Sequence, residues 1–106
     1  MRDFRILPEV ADDITQAADW YDKEGFPGLG DRFLETFYAS IAHLQKTGEI
    51  HRTVYSGFRR IFLRPFSYAL YYRYHGELLI IALVIHVARD PERMRALLRA
   101  RQSKSK

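Results

Sequence analysis

The stretch Phe58–Val87, FRRIFLRPFSYALYYRYHGELLIIALVIHV, decides the fold. Its first residues alternate, so Arg59, Ile61 and Leu63 share one face of a strand and Arg60, Phe62 and Arg64 the other. After Pro65 the segment SYALYYRY is rich in the aromatic residues that suit a strand. His75-Gly76 reads as a two-residue hairpin turn, because glycine accepts positive φ. The run ELLIIALVIHV is apolar on both faces, which predicts an interior strand covered above and below. Three strands in succession make an antiparallel meander.

Upstream of that meander the period of the apolar residues changes. DFRILP alternates and stops at Pro8, a short N-terminal strand. Val10, Ile14, Ala17 or Ala18, and Tyr21 then recur at helical spacing up to Gly25, with Asp12, Asp13, Gln16 and Asp19 facing away. Trp20-Tyr21 reads as a packing anchor near the end of this helix. The loop GFPGLGD follows, with Asp31 as the expected N-cap of a second helix carrying Phe33, Leu34, Phe37, Ile41 and Leu44 to Gly48. Two helices on a short loop pack antiparallel, and their apolar stripes need a sheet to cover. Beyond the meander, Asp90-Pro91 starts a third helix, with Met94, Leu97 and Leu98 inward and Arg93, Arg95, Arg99 and Arg101 mostly outward.

The predicted class is therefore α+β: a short strand, an antiparallel helix pair, a mainly antiparallel three-stranded meander and a C-terminal helix. The helix pair takes one sheet face and leaves the other partly free. At 106 residues this is one domain, assigned to residues 1–101, with residues 102–106 a frayed basic tail. Cysteine is absent, which excludes disulfides and thiolate chemistry. MRDFRILPEV lacks the apolar run of a signal peptide, and Leu78–Val87 is about half the length of a membrane span. A soluble, cytoplasmic protein with no membrane partner is expected.

The net charge of +4 hides an asymmetry. Residues 1–50 carry five Lys and Arg against ten Asp and Glu, a net of −5, whereas residues 51–106 carry twelve against three, a net of +9. Either the halves neutralise each other across the fold, or the second half meets an anionic macromolecule. Arg59, Arg60, Arg64, Arg73, Arg93 and Arg95 are the candidate contacts for a partner or nucleic acid. Guanidinium groups hold carboxylates and phosphates bidentately, and Tyr68, Tyr72 and Tyr74 offer stacking area beside them.

His86, at the end of the apolar strand and just before Arg89, is the candidate general acid or base. A solvated face and a structural histidine are the plainer readings of these residues. His43, His51 and His75 fall on helix, loop and turn without ligand spacing, so no metal site and no cofactor are expected. GFPGLG follows a helix and lacks a Lys-Ser/Thr, so it is not read as a phosphate loop. No Ser/His/Asp set is evident.

The ordered set LPEVADDITQAADWYDKEG, PGLGDRFLETF, FRRIFLRPFSYALYYRY and IIALVIHVARDP resembles the RelE/ParE superfamily of toxins from bacterial type II toxin–antitoxin modules. WYD, PGLGDRF and HVARDP are more similar to its ParE-like branch. The resemblance implies a growth-inhibiting, plasmid-stabilising toxin, neutralised by a cognate antitoxin and directed at DNA gyrase without being an enzyme. The RelE-like alternative is an endoribonuclease acting on mRNA in the ribosome. There, Arg60 or Arg64, with Arg89, would hold the phosphate and His86 would move protons. Met94 stands near the place where those nucleases usually carry a tyrosine. Ser67, where many relatives have proline in Phe-Pro-Tyr, keeps a backbone donor that proline would lack. A homodimer and a toxin–antitoxin hetero-oligomer are both compatible with the resemblance.

Overall fold

In the computed structural model, which describes residues 2–102, the chain enters through strand β1 (Phe4–Ile6) and turns directly into helix α1 (Pro8–Glu24). Pro8 occupies the first turn, where its missing N–H costs no helical bond. Helix α2 (Leu29–Thr47) returns antiparallel and closes in a single 3-10 turn, Gly48–Ile50. Four strands follow, β2 (Thr53–Tyr55), β3 (Phe58–Phe62), β4 (Tyr68–His75) and β5 (Leu78–His86), before helix α3 (Pro91–Gln102). Gln102 thus closes α3, and the rest of the expected basic tail lies outside the described residues.

The sheet has five strands in the order β1-β5-β4-β3-β2, with β1 parallel to β5 and every other pair antiparallel. The α+β class stands. The meander has one strand more than its sequence pattern predicts. Thr53–Tyr55 is too short to show alternation, yet it pairs with β3 across Ser56-Gly57, both at positive φ (48° and 83°) as a tight hairpin requires. The next turn is Gly76-Glu77 rather than His75-Gly76, since His75 still pairs with Leu78.

Strand β5 is buried at every position from Leu79 to Ile85, as its unbroken apolar run requires. α1 and α2 cover one face of the sheet with Val10, Ile14, Ala17, Phe33, Phe37, Ile41 and Leu44. Each fully buried Phe or Leu of this layer contributes about 1.5–3 kcal/mol. Tyr68, Tyr72 and Tyr74 belong to the same layer. Tyr72 donates its hydroxyl to the Gly48 carbonyl at 2.7 Å and Tyr74 to the Leu44 carbonyl at 2.9 Å, while Tyr68 packs edge-on against Phe33. They therefore anchor α2 and do not stack beside the arginines of the opposite face.

Two local expectations are corrected. Asp31 lies in the first turn of α2 and is not its cap. That role falls to Asp22 of α1, whose Oδ1 accepts the N–H groups of Gly28 (3.1 Å) and Gly30 (2.8 Å). Gly30 is needed there, because a Cβ would meet the Ala18 carbonyl at 2.5 Å. Trp20 is half exposed, and Tyr21 alone is the anchor, within an aromatic cluster of Phe33, Phe66 and Tyr68.

Asp13 and Arg101, both assigned to solvent by helical period, face inward. Their partner is the outer edge of β5. The neighbouring strand β1 ends early, its last bond to β5 running from Leu7 N to Ile81 O. Beyond it Asp13 Oδ2 accepts the Val84 N–H at 3.0 Å, and Arg101 Nη1 donates to the Ala82 carbonyl at 3.0 Å. Ala82 is the extra residue of a bulge, since Tyr71 pairs with Leu83 and Tyr72 with Ile81. The two side chains continue the ladder that β1 leaves unfinished.

Candidate functional site

Alternation along β3 places Arg60 opposite Tyr71, and Phe62 opposite Ala69, on the sheet face away from the helix pair. Helix α3 covers only part of this face, burying Leu98 while Met94 and Leu97 stay half exposed. What remains is an open groove of about 860 Å³. Phe62, Ala69, Tyr71 and Ile85 form its floor, and Met94 and Arg95 of α3 form one wall. Arg52–Val54, Pro65–Ser67, and His86, Val87 and Arg89 close the remaining sides.

Phe62 is the centre of this arrangement. It stays 44% exposed, and two guanidinium groups flank its ring, Arg60 at 5.0 Å and Arg64 at 5.4 Å from the centroid. Nη1 of Arg60 also lies 3.5 Å from the Tyr71 hydroxyl, at the outer limit of a hydrogen bond. Among the described residues no carboxylate forms an ion pair with Arg60, Arg64 or Arg89. The acidic first half does not neutralise them.

The other candidates separate. Arg95 joins the groove wall but is engaged by Glu92 Oε1 at 2.6 Å. Arg93 borders a smaller depression with Asp13, Gln16 and Arg89. Arg73 lies over the Phe58 ring at 5.5 Å and does not line the groove. Arg59 points to the helix side, where it donates to the Glu49 and His51 carbonyls. Its alternation with Ile61 explains this, since one residue along β3 reverses the face. Tyr71 was missed for the same reason: among adjacent tyrosines, only register decides which one meets the arginines.

His86 lines the groove, and its Nδ1 accepts the Ala88 N–H at 3.0 Å. In the neutral ring the proton therefore sits on Nε2. Tyr68 meets the imidazole edge-on, with centroids 5.2 Å apart. Burial is the main cause that pushes the hydroxyls of Tyr68, Tyr72 and Tyr74 above the ordinary tyrosine value, so they remain protonated at neutral pH. Ser67 uses the backbone donor it retains: its N–H donates to the Tyr21 hydroxyl at 3.0 Å, tying the groove rim to α1. Sequence spacing also conceals one juxtaposition, for His43 and His51 bring their Nε2 atoms within 3.4 Å.

The site is thus an open, cationic groove with an apolar floor on a small α+β domain. The chain matches the family model described as ParE toxin of type II toxin-antitoxin system, parDE, over residues 4–91, and it belongs to that family. It is thus a ParE-like member of the RelE/ParE superfamily and a toxin of the type II class. A solved chain of the chromosomal ParDE TA system from P. aeruginosa is similar in fold, with a TM-score of 0.72 at 17% identity over 81% of this chain and 96% of that one. No curated protein sequence matches. Among the described residues, no helix is long and apolar enough to cross a membrane.

Proposed function

We propose that this toxin poisons DNA gyrase and is silenced by a cognate antitoxin whose acidic segment lies in the open groove. The observation that carries the antitoxin half is the Arg60–Phe62–Arg64 triplet. An exposed aromatic ring between two guanidinium groups that meet no carboxylate among the described residues fits an amphipathic acidic segment, which would bury the ring and pair the charges. The gyrase half rests on membership of the ParE toxin family. The decisive experiment mixes the full chain with gyrase and supercoiled plasmid, followed by protease. Linear plasmid is expected, and its absence at saturating toxin overturns the gyrase assignment.

One observation favours a second reading. Arg60, Arg89 and His86, the three residues a ribosome-dependent ribonuclease would use, all border the same groove. That reading requires mRNA cuts within codons that vanish in folded Arg60→Ala, Arg89→Ala and His86→Ala variants. Cuts that persist in all three remove the site.

A further inference from the structure

Past the end of β1, a depression of about 110 Å³ lies along the outer edge of β5, between α1 and α3. Asp13, Gln16 and Ala17 share one face of α1 and form one side. Arg93 and Leu97, one turn apart on α3, form the other, and the β5 edge from Val84 to His86 is the floor. The loop after β5 completes it. The Arg89 N–H donates to the His86 carbonyl at 3.1 Å, which folds Arg89 back to this edge.

Donors outnumber acceptors here. Among the described residues no carboxylate forms an ion pair with Arg89 or Arg93. Tyr68, a hydroxyl donor at neutral pH, and His86, with its ring proton on Nε2, border the same space. The Val87 N–H donates inward to the Ser67 carbonyl at 2.9 Å, so alternation turns the His86 N–H to the open edge. The one carboxylate, Asp13, is already committed to Arg101 and to the Val84 N–H. Two guanidinium groups, a phenol and an amide around so small a space suit a single phosphate group rather than a whole nucleotide.

We propose that this depression binds a phosphate group, held by Arg89 and Arg93 with Tyr68 and Gln16 as further donors. The site is separate from the open groove. His86 and Arg89 stand between the two, whereas Arg60 and Arg64 line the groove and not the depression. Free phosphate and the terminal phosphate of a nucleic acid present the same oxygens to it. A bound phosphate would link α3 to α1 beside the Asp13–Arg101 pair, whichever target the toxin has.

The test titrates inorganic phosphate into the full chain at neutral pH and constant ionic strength, read by side-chain nitrogen signals in NMR. The Nε signals of Arg89 and Arg93 and the Gln16 amide are expected to move together on one saturable curve that Arg60 and Arg64 do not follow. Movement of all four arginines on one curve, or movement that never saturates, overturns the site. Arg93→Gln, at an exposed position, should weaken binding at least about fivefold, and Tyr68→Phe about threefold. Affinity unchanged within about twofold in Arg93→Gln also overturns it. A second arm compares a short DNA strand with and without a terminal phosphate. Tighter binding of the phosphorylated strand, lost in Arg93→Gln, assigns the site to nucleic-acid ends, and equal binding of the two strands assigns it to free phosphate.

Discussion

Arg101 and Asp13, 88 residues apart in sequence, form a two-pronged ion pair, with Nη1 to Oδ2 at 2.6 Å and Nη2 to Oδ1 at 3.1 Å. Their side chains are only 10% and 13% exposed, so solvent screens the pair weakly. It ties α3 to α1 around the edge of the sheet. Asp13→Ala would leave a buried guanidinium unpaired and the Val84 N–H without its acceptor. A loss of about 3–5 kcal/mol is expected in urea unfolding. A loss below about 1 kcal/mol would mean that water replaces the carboxylate, and that the edge needs no cap.

This pair also marks where reading the sequence stops. Periodicity located all three helices, and the unbroken apolar run of β5 marked an interior strand, because burial writes itself into composition. Alternation put Arg60, Phe62 and Arg64 on the free face. Asp13 and Arg101 occupy nominally polar helical positions, and they turn inward only because β1 ends one residue past the Ile81 pairing. The bulge at Ala82 leaves no compositional trace. Neither does the reversal that sends Tyr72 and Tyr74 to α2 and leaves Tyr71 beside Arg60. Such features depend on register between distant segments, and one chain's sequence does not encode register locally.

The groove prediction separates its apolar centre from its charged flanks. Phe62→Ala should leave thermal stability nearly unchanged, because the ring is half exposed, yet cost at least about 2 kcal/mol in antitoxin binding. The Arg60→Ala/Arg64→Ala double variant should weaken binding roughly tenfold or more and flatten its salt dependence. Calorimetric titration at two ionic strengths measures both. A double variant that keeps the wild-type salt slope would show that the acidic segment binds elsewhere.

The junction of the helix pair offers a backbone test. Asp22→Ala removes the acceptor for Gly28 and Gly30 and should destabilise by about 1 kcal/mol, in the range of other lost caps. Asp22→Asn should restore most of this, since an amide oxygen still accepts. Gly30→Ala raises helix propensity and should still destabilise, because the new methyl meets the Ala18 carbonyl and the Asp22 carboxylate. A Gly30→Ala protein more stable than wild type, by thermal melt, would show that α1 and α2 can separate freely at this crossing.

Tyr72 makes the alkaline limb of stability predictable. Its ring is fully buried, and burial, reinforced by Tyr74 and only partly offset by Arg59, raises its pKa above the ordinary 10.0. A folded pKa above the unfolded one gives stability that is fully present below about pH 10 and lost as pH climbs toward the folded value. Tyr68 and Tyr74 shift in the same direction and add to the slope. The urea midpoint should therefore hold steady through neutral pH and fall steeply above the ordinary tyrosine range. Tyr72→Phe should be less stable at pH 7 by about 1–3 kcal/mol, since the Gly48 carbonyl loses its donor. The same variant should show a shallower alkaline decline, having one fewer proton to release. If wild type and Tyr72→Phe decline in parallel above pH 10, burial of this hydroxyl is not what limits alkaline stability, and Tyr68 and Tyr74 carry it instead.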